Sequence, residues 1–97
     1  MPYVLVVYDI SDNSVRERYS NYLKSIGLSR IQRSAFIGRV SSQTLKDLER
    51  ATKRIVNQET DIVHILTLTT YNYSRIRVIG KPLTQLNRSG ERVAVIM

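Results

Sequence analysis

A chain of 97 residues, 42% apolar and 24% charged, has the make-up of one small globular domain, which argues against disorder and against several domains. With no cysteine and one histidine, it has neither disulfides nor the ligands for a thiolate or histidine-built zinc site. Fifteen Lys and Arg against eight Asp and Glu give a net charge of +7 and a pI near 10.1, which points to an anionic partner.

Eleven of the fifteen bases are arginine, whose planar fork suits phosphate, so nucleic acid is the expected partner. No apolar run approaches the ~18 residues of a membrane span, and no leader pattern of basic, apolar and small residues opens the chain. A cytoplasmic protein without membrane contact is expected.

Residues Tyr3 to Asp9 run apolar or aromatic until the final carboxylate. Such a run, rich in valine, predicts a strand buried on both faces. Ser11-Asp12-Asn13 follows as helix-start chemistry, so Asp9 falls where a strand gives way to a loop, a usual place for a functional group. It is either a catalytic or metal-binding carboxylate or a turn residue.

A helix is predicted from about Asn13 to Ile26, because Val15, Tyr19, Tyr22, Leu23 and Ile26 share one face. Asp12 can cap it, Ser14 with Glu17 offers a competing capping box, and Gly27 ends it. Arg16 and Arg18 lie off the apolar face, about 200° apart on the wheel, so they cannot both reach one spot.

Arg30 to Val40 alternates like a strand and reads equally as one kinked strand or a tight hairpin. Arg30 and Arg33 have opposite parity in a regular strand, and only a bulge would align them. Gly38 marks a bulge, a bend or a close backbone approach. A second helix, about Gln43 to Asn57, has Leu45, Leu48, Thr52, Ile55 and Val56 inside and Lys46, Glu49, Arg50, Lys53 and Arg54 outside. Asp61 to Thr70 is the next predicted strand, again apolar on both parities, with His64 expected in the core or an interface. Short strands are predicted at Arg75–Ile79 and Arg92–Ile96, with residues 83–91 as loop.

The order β-α-β(β)-α-β with extra C-terminal strands is that of a ferredoxin-like α+β sandwich. One domain spans 1–97, with a core at about 2–80 and a dimer-contact segment at about 81–97. Two helices cover one face of such a sheet, yet the strands are apolar on both. A homodimer packed sheet against sheet is therefore expected.

Tyr8-Asp9-Ile10, then Arg16 and Arg18, then Gly27-Leu28-x-Arg30-Ile31-Gln32-x-Ser34-x-Phe36-x-Gly38 resemble the CRISPR-associated protein two family. Arg33, Ala35 and Arg39 depart from the commoner residues of that pattern. The resemblance implies a ferredoxin-like homodimer of the spacer-acquisition machinery, partnered with the CRISPR integrase dimer. It implies a metal-dependent endonuclease acting on single-stranded RNA or double-stranded DNA, or a non-enzymatic DNA-binding scaffold bridging integrase subunits. By the same resemblance Asp9 is the catalytic and metal-binding residue, taking Mg²⁺ or Mn²⁺. Arg16, Arg18 and Arg30 match nucleic-acid-binding positions, with Tyr8, Ser34 and Phe36 in support.

Apart from any resemblance, Mg²⁺ at phosphates needs only one or two protein carboxylates, so one Asp9 per subunit would suffice if a two-fold axis brought the two copies near one another. Asp12 is the better helix cap than ligand. Ser34 has no neighbouring base and reads as a hydrogen-bonding residue. Phe36, Tyr71 and Tyr73 are candidates to stack on bases, with packing as the default role.

Overall fold

The computed structural model describes residues 1–82. Strand β1 (Tyr3–Asp9) is central in a four-stranded antiparallel sheet of order β2-β3-β1-β4, with β2 at Ser29–Gln32, β3 at Ala35–Arg39 and β4 at Ile62–Leu68. Helices α1 (Asn13–Ser25) and α2 (Ser42–Ile55) join the strands, and a short helix α3 (Thr70–Ser74) follows β4.

Alternation along β1 sorts its side chains. Val4, Val6 and Tyr8 are buried with Phe36, Val40, Tyr19, Leu23 and Leu48, so α1 and α2 cover one face of the sheet. The apolar stripe read for α1 packs here, as does that of α2. Between the helices, Tyr19 Oη and Thr52 Oγ1 share a buried hydrogen bond of 2.7 Å, and burial lifts the Tyr19 pKa to about 12 against the opposing effect of that bond.

The helix ends follow side-chain chemistry. Asp12 Oδ1 accepts from the backbone N–H groups of Ser14 and Val15 at 2.8 and 3.0 Å, so it caps α1 and the Ser14–Glu17 box does not form. Gly27, at φ +97°, supplies the left-handed residue beyond α1. Ser41 caps α2.

Residues 28–40 form the hairpin, not the kinked strand. Its loop is Arg33-Ser34, and the pairing shifts between Arg30 and Gln32 because Ile31 is an extra residue. Gly38 marks a close approach: a Cβ there would stand 2.8 Å from Leu28 Cδ2.

The other face of the sheet is covered in part by the chain itself. Ile37 is buried among Leu5, Ile31, Leu68, Tyr73 and Ile76, with the Tyr73 ring stacked on Tyr3 at 3.8 Å. A second copy is thus not the sole means of covering that face, contrary to the reasoning from two helices. Val7, Ile62 and Leu66 remain exposed there, and so does His64, which pairs with Val7 and is no part of the core.

The segment after β4 holds a helix that was not expected and, among the described residues, lacks the strand that was. Tyr71-Asn72-Tyr73 belongs to α3, held by a Thr69–Asn72 capping box. Arg75–Ile79 forms no strand among the described residues, and Ile79 is 98% exposed. The predicted loop at 83–91, the strand at Arg92–Ile96 and most of the dimer-contact segment at 81–97 lie outside the described residues.

Candidate nucleic-acid interface and carboxylate site

Asp9 ends β1 on the face away from α1 and α2, opposite Ile62, and its side chain is exposed. Its carboxylate has no hydrogen bond or ion pair among the described residues, which distinguishes it from the other two acids of this region. Asp12 is occupied in capping; its bonds from Ser14 and Val15 hold its pKa below the usual carboxylate value.

Asp61 joins two loops. Its Oδ1 accepts from Ser11 N and Ser11 Oγ at 3.2 and 3.1 Å, and its Oδ2 from Asn57 N at 3.0 Å. Desolvation opposes ionisation of Asp61, but these bonds and that from Thr60 outweigh it and lower its pKa. The loop after Asp9 is thus clamped from the start of β4. Sequence reading missed this role, and fifty positions between Ser11 and Asp61 left no local signal for it.

One residue earlier, Tyr8 points to the opposite face. It is buried against Tyr19 and Phe36, with ring centroids at 5.3 and 6.4 Å, so it is a core residue. Its hydroxyl reaches toward Arg33 O at 3.4 Å, and its backbone N–H donates to Ser34 O at 2.9 Å. Burial raises the Tyr8 pKa, opposed by the charges of Arg30 and Arg16.

An open groove of about 650 Å³ lies beside Tyr8, lined by Arg16, Arg30, Arg33 and Ser34 with Asn13 and Glu17. The extra residue in the hairpin is what brings Arg30 and Arg33 together; Arg30 Nη1 donates to Arg33 O at 3.3 Å. Arg16 is held at the loop, donating to Ile10 O at 2.8 Å and to Asn13 Oδ1. Arg18 is exposed elsewhere on α1 and does not line the groove, as the helical wheel requires. Ser34 lines it, while Phe36 is fully buried beneath Arg30, whose guanidinium lies 5.0 Å from the ring centroid. Phe36 therefore packs and has no ring face free for a base.

Three arginines in one groove form a concentrated cationic surface for phosphate oxygens. Asp9 and this groove share one end of the sheet but occupy opposite faces. As an exposed, unpartnered oxygen donor, Asp9 fits a hard cation whose remaining ligands are water and phosphate. No group of three or more His, Cys, Asp or Glu is placed to hold a metal among the described residues. No helix among the described residues is long and apolar enough to cross a membrane.

Similar sequences and a similar fold occur in known proteins. A family model described as CRISPR associated protein Cas2 matches residues 1–76. The chain is 51% identical over 53 residues to a Pyrobaculum aerophilum protein named CRISPR-associated endoribonuclease Cas2 2, covering 55% of this chain and 58% of that one. It is 36% identical to an endoribonuclease Cas2 of Thermofilum pendens, covering 77% of this chain and 80% of the relative. A Thermoproteus tenax protein named CRISPR-associated endonuclease Cas1/endonuclease Cas2 fusion is 44% identical, over 62% of this chain and 23% of the fusion. The chain thus spans little more than half the length of the Pyrobaculum relative, and less than a quarter of the fusion. A crystal structure titled as cas2 superposes with a TM-score of 0.72 at 35% identity, covering 84% of this chain and 90% of the other. With 76 of its 97 residues matched by the family model, the chain belongs to the CRISPR associated protein Cas2 family.

Proposed function

We propose that this chain is a metal-dependent endonuclease of the CRISPR adaptation machinery, hydrolysing phosphodiester bonds of single-stranded RNA or double-stranded DNA as a ferredoxin-like homodimer. The observation that carries this reading is the free carboxylate of Asp9, one residue along β1 from Tyr8 and the groove of Arg16, Arg30 and Arg33. The names of the relatives support a nuclease, and the element order with strand order β2-β3-β1-β4 supports the ferredoxin-like reading.

In this reading Asp9 holds Mg²⁺, for which Mn²⁺ can substitute. When bound, the ion supplies charge neutralisation at the phosphodiester and a more acidic water. Arg16, Arg30 and Arg33 hold the phosphate backbone and Ser34 donates a hydrogen bond to it, while Arg18 adds charge outside the groove. Tyr8 fixes the Arg33-Ser34 loop from within the core. The exposed Val7, Ile62 and Leu66 on the same face of the sheet as Asp9 support burial of this face against a second copy, which would bring a second Asp9 to the site.

A second reading, a DNA-binding scaffold for the CRISPR integrase in which Asp9 is incidental, is favoured by the relative that joins Cas1 to Cas2. One experiment separates the two. Purified protein and Asp9→Asn are incubated with labelled single-stranded RNA and duplex DNA, with and without Mg²⁺. Cleavage by the unaltered protein only, and only with Mg²⁺, is expected. Equal cleavage by Asp9→Asn rejects the Asp9 site, and binding without cleavage by either supports the scaffold.

A further inference from the structure

Three aromatic residues were candidates to stack on bases, and their placements differ. Phe36 is buried, Tyr73 is stacked on Tyr3, and Tyr71 is 67% exposed. A single exposed tyrosine is ordinary on a protein surface. Tyr71 differs in its support and its surroundings.

Its support is rigid. The Thr69–Asn72 capping box closes α3, Ser74 Oγ donates to Tyr71 O at 2.7 Å, and Tyr73 and Ile76 anchor the segment to the sheet beside Ile37. Tyr71 is thereby held outward without depending on its own burial. The Arg75 guanidinium lies 5.7 Å from its ring centroid, and the Arg39 guanidinium lies 5.2 Å from that of Tyr3.

Its immediate neighbour is a cation. Arg75 stands beside the ring, and residues 62–82 carry no Asp or Glu to oppose it, while Lys81 lies at the other end of the sheet beside Val7 and the Arg33-Ser34 loop. The carboxylate site stands at the opposite end of β1, roughly 20 Å away along a strand of seven residues.

We infer that Tyr71, backed by Arg75, is a base-stacking shelf for single-stranded nucleic acid, a contact separate from the arginine groove. The inference rests on the nucleic-acid reading above and deepens it. Bases of a single strand have free faces to lay on an aromatic ring, whereas those of a duplex are already stacked within it. The groove arginines hold phosphates of either form; Tyr71 favours the single strand.

The test is fluorescence anisotropy on the full chain, with a labelled oligouridine and a labelled duplex DNA of the same length. Tyr71→Ala is expected to weaken oligouridine binding by about tenfold, the scale of one lost stacked base, and to leave duplex binding unchanged. Tyr71→Phe keeps the ring and should bind as the unaltered protein does. Arg30→Ala should weaken both probes. Unchanged oligouridine affinity in Tyr71→Ala, or equal weakening of both probes, overturns the shelf while Arg30→Ala still reports on the groove. If the unaltered protein binds neither probe, the nucleic-acid reading itself fails.

Discussion

The two faces of the sheet share the same strands yet have different surroundings. Toward α1 and α2, Val4, Val6, Tyr8 and Phe36 are closed off from water. One residue along, on the reverse face, α3 and Ile76 shelter Leu5 and Ile37, while Val7, Ile62, His64 and Leu66 stay in contact with solvent on the face that carries Asp9. The first face supplies the stability of the single chain. The second keeps apolar surface and a free carboxylate together, an arrangement suited to assembly and chemistry more than to folding.

The contrast is sharpest if a core side chain is cut back. Phe36→Ala should cost about 3–5 kcal/mol in urea unfolding, because Phe36 is fully buried and carries Arg30 above it. A smaller loss tests the join between the helices: Tyr19→Phe leaves the Thr52 hydroxyl without its buried partner, at about 1–3 kcal/mol.

Acid should act more weakly and at the loops. The folded pKa values of Asp12 and Asp61 lie below their unfolded values, so their contribution is present above the ordinary carboxylate range near pH 4 and is lost as pH falls through the depressed values. Urea midpoints measured between pH 5 and pH 2 should fall, and should fall less in Asp61→Asn. The smallest effect on a single chain belongs to the open face. Leu66→Ser should change unfolding by no more than about 0.5 kcal/mol at protein concentrations where only monomer is present. Sedimentation at higher concentration should then show a weaker dimer than the unaltered protein forms. A monomer at every concentration would remove the sheet-on-sheet assembly.

The helices and outer framework were legible because their signals are local and repeated. The stripe of Val15, Tyr19, Tyr22, Leu23 and Ile26 is one face of α1 whatever surrounds it. The hairpin was not, since its two-residue loop is Arg33-Ser34, without Gly, Pro or Asn to announce a turn, and one extra residue at Ile31 shifts the parity. Helix α3 was missed because five residues give no periodicity and its capping box uses Asn72 where Glu or Gln is usual. For Arg75–Ile79, alternation suggested a strand, but no neighbouring strand pairs with it among the described residues.

The site divides along the same line. Asp9 was readable as the acid that ends an apolar run, and Arg16 and Arg18 as pointing apart. The meeting of Arg30 with Arg33 depends on the bulge, and the Asp61 clamp on a contact across fifty positions, neither of which periodicity can report.

The most direct test of the carboxylate site is calorimetric titration of Mg²⁺ and Mn²⁺ into the full chain and into Asp9→Ala. Measurable binding that is lost in the variant is expected, with the unfolding midpoint in the absence of metal unchanged because the Asp9 side chain is exposed and has no hydrogen bond or ion pair among the described residues. Indistinguishable metal binding by the two proteins would contradict the carboxylate site.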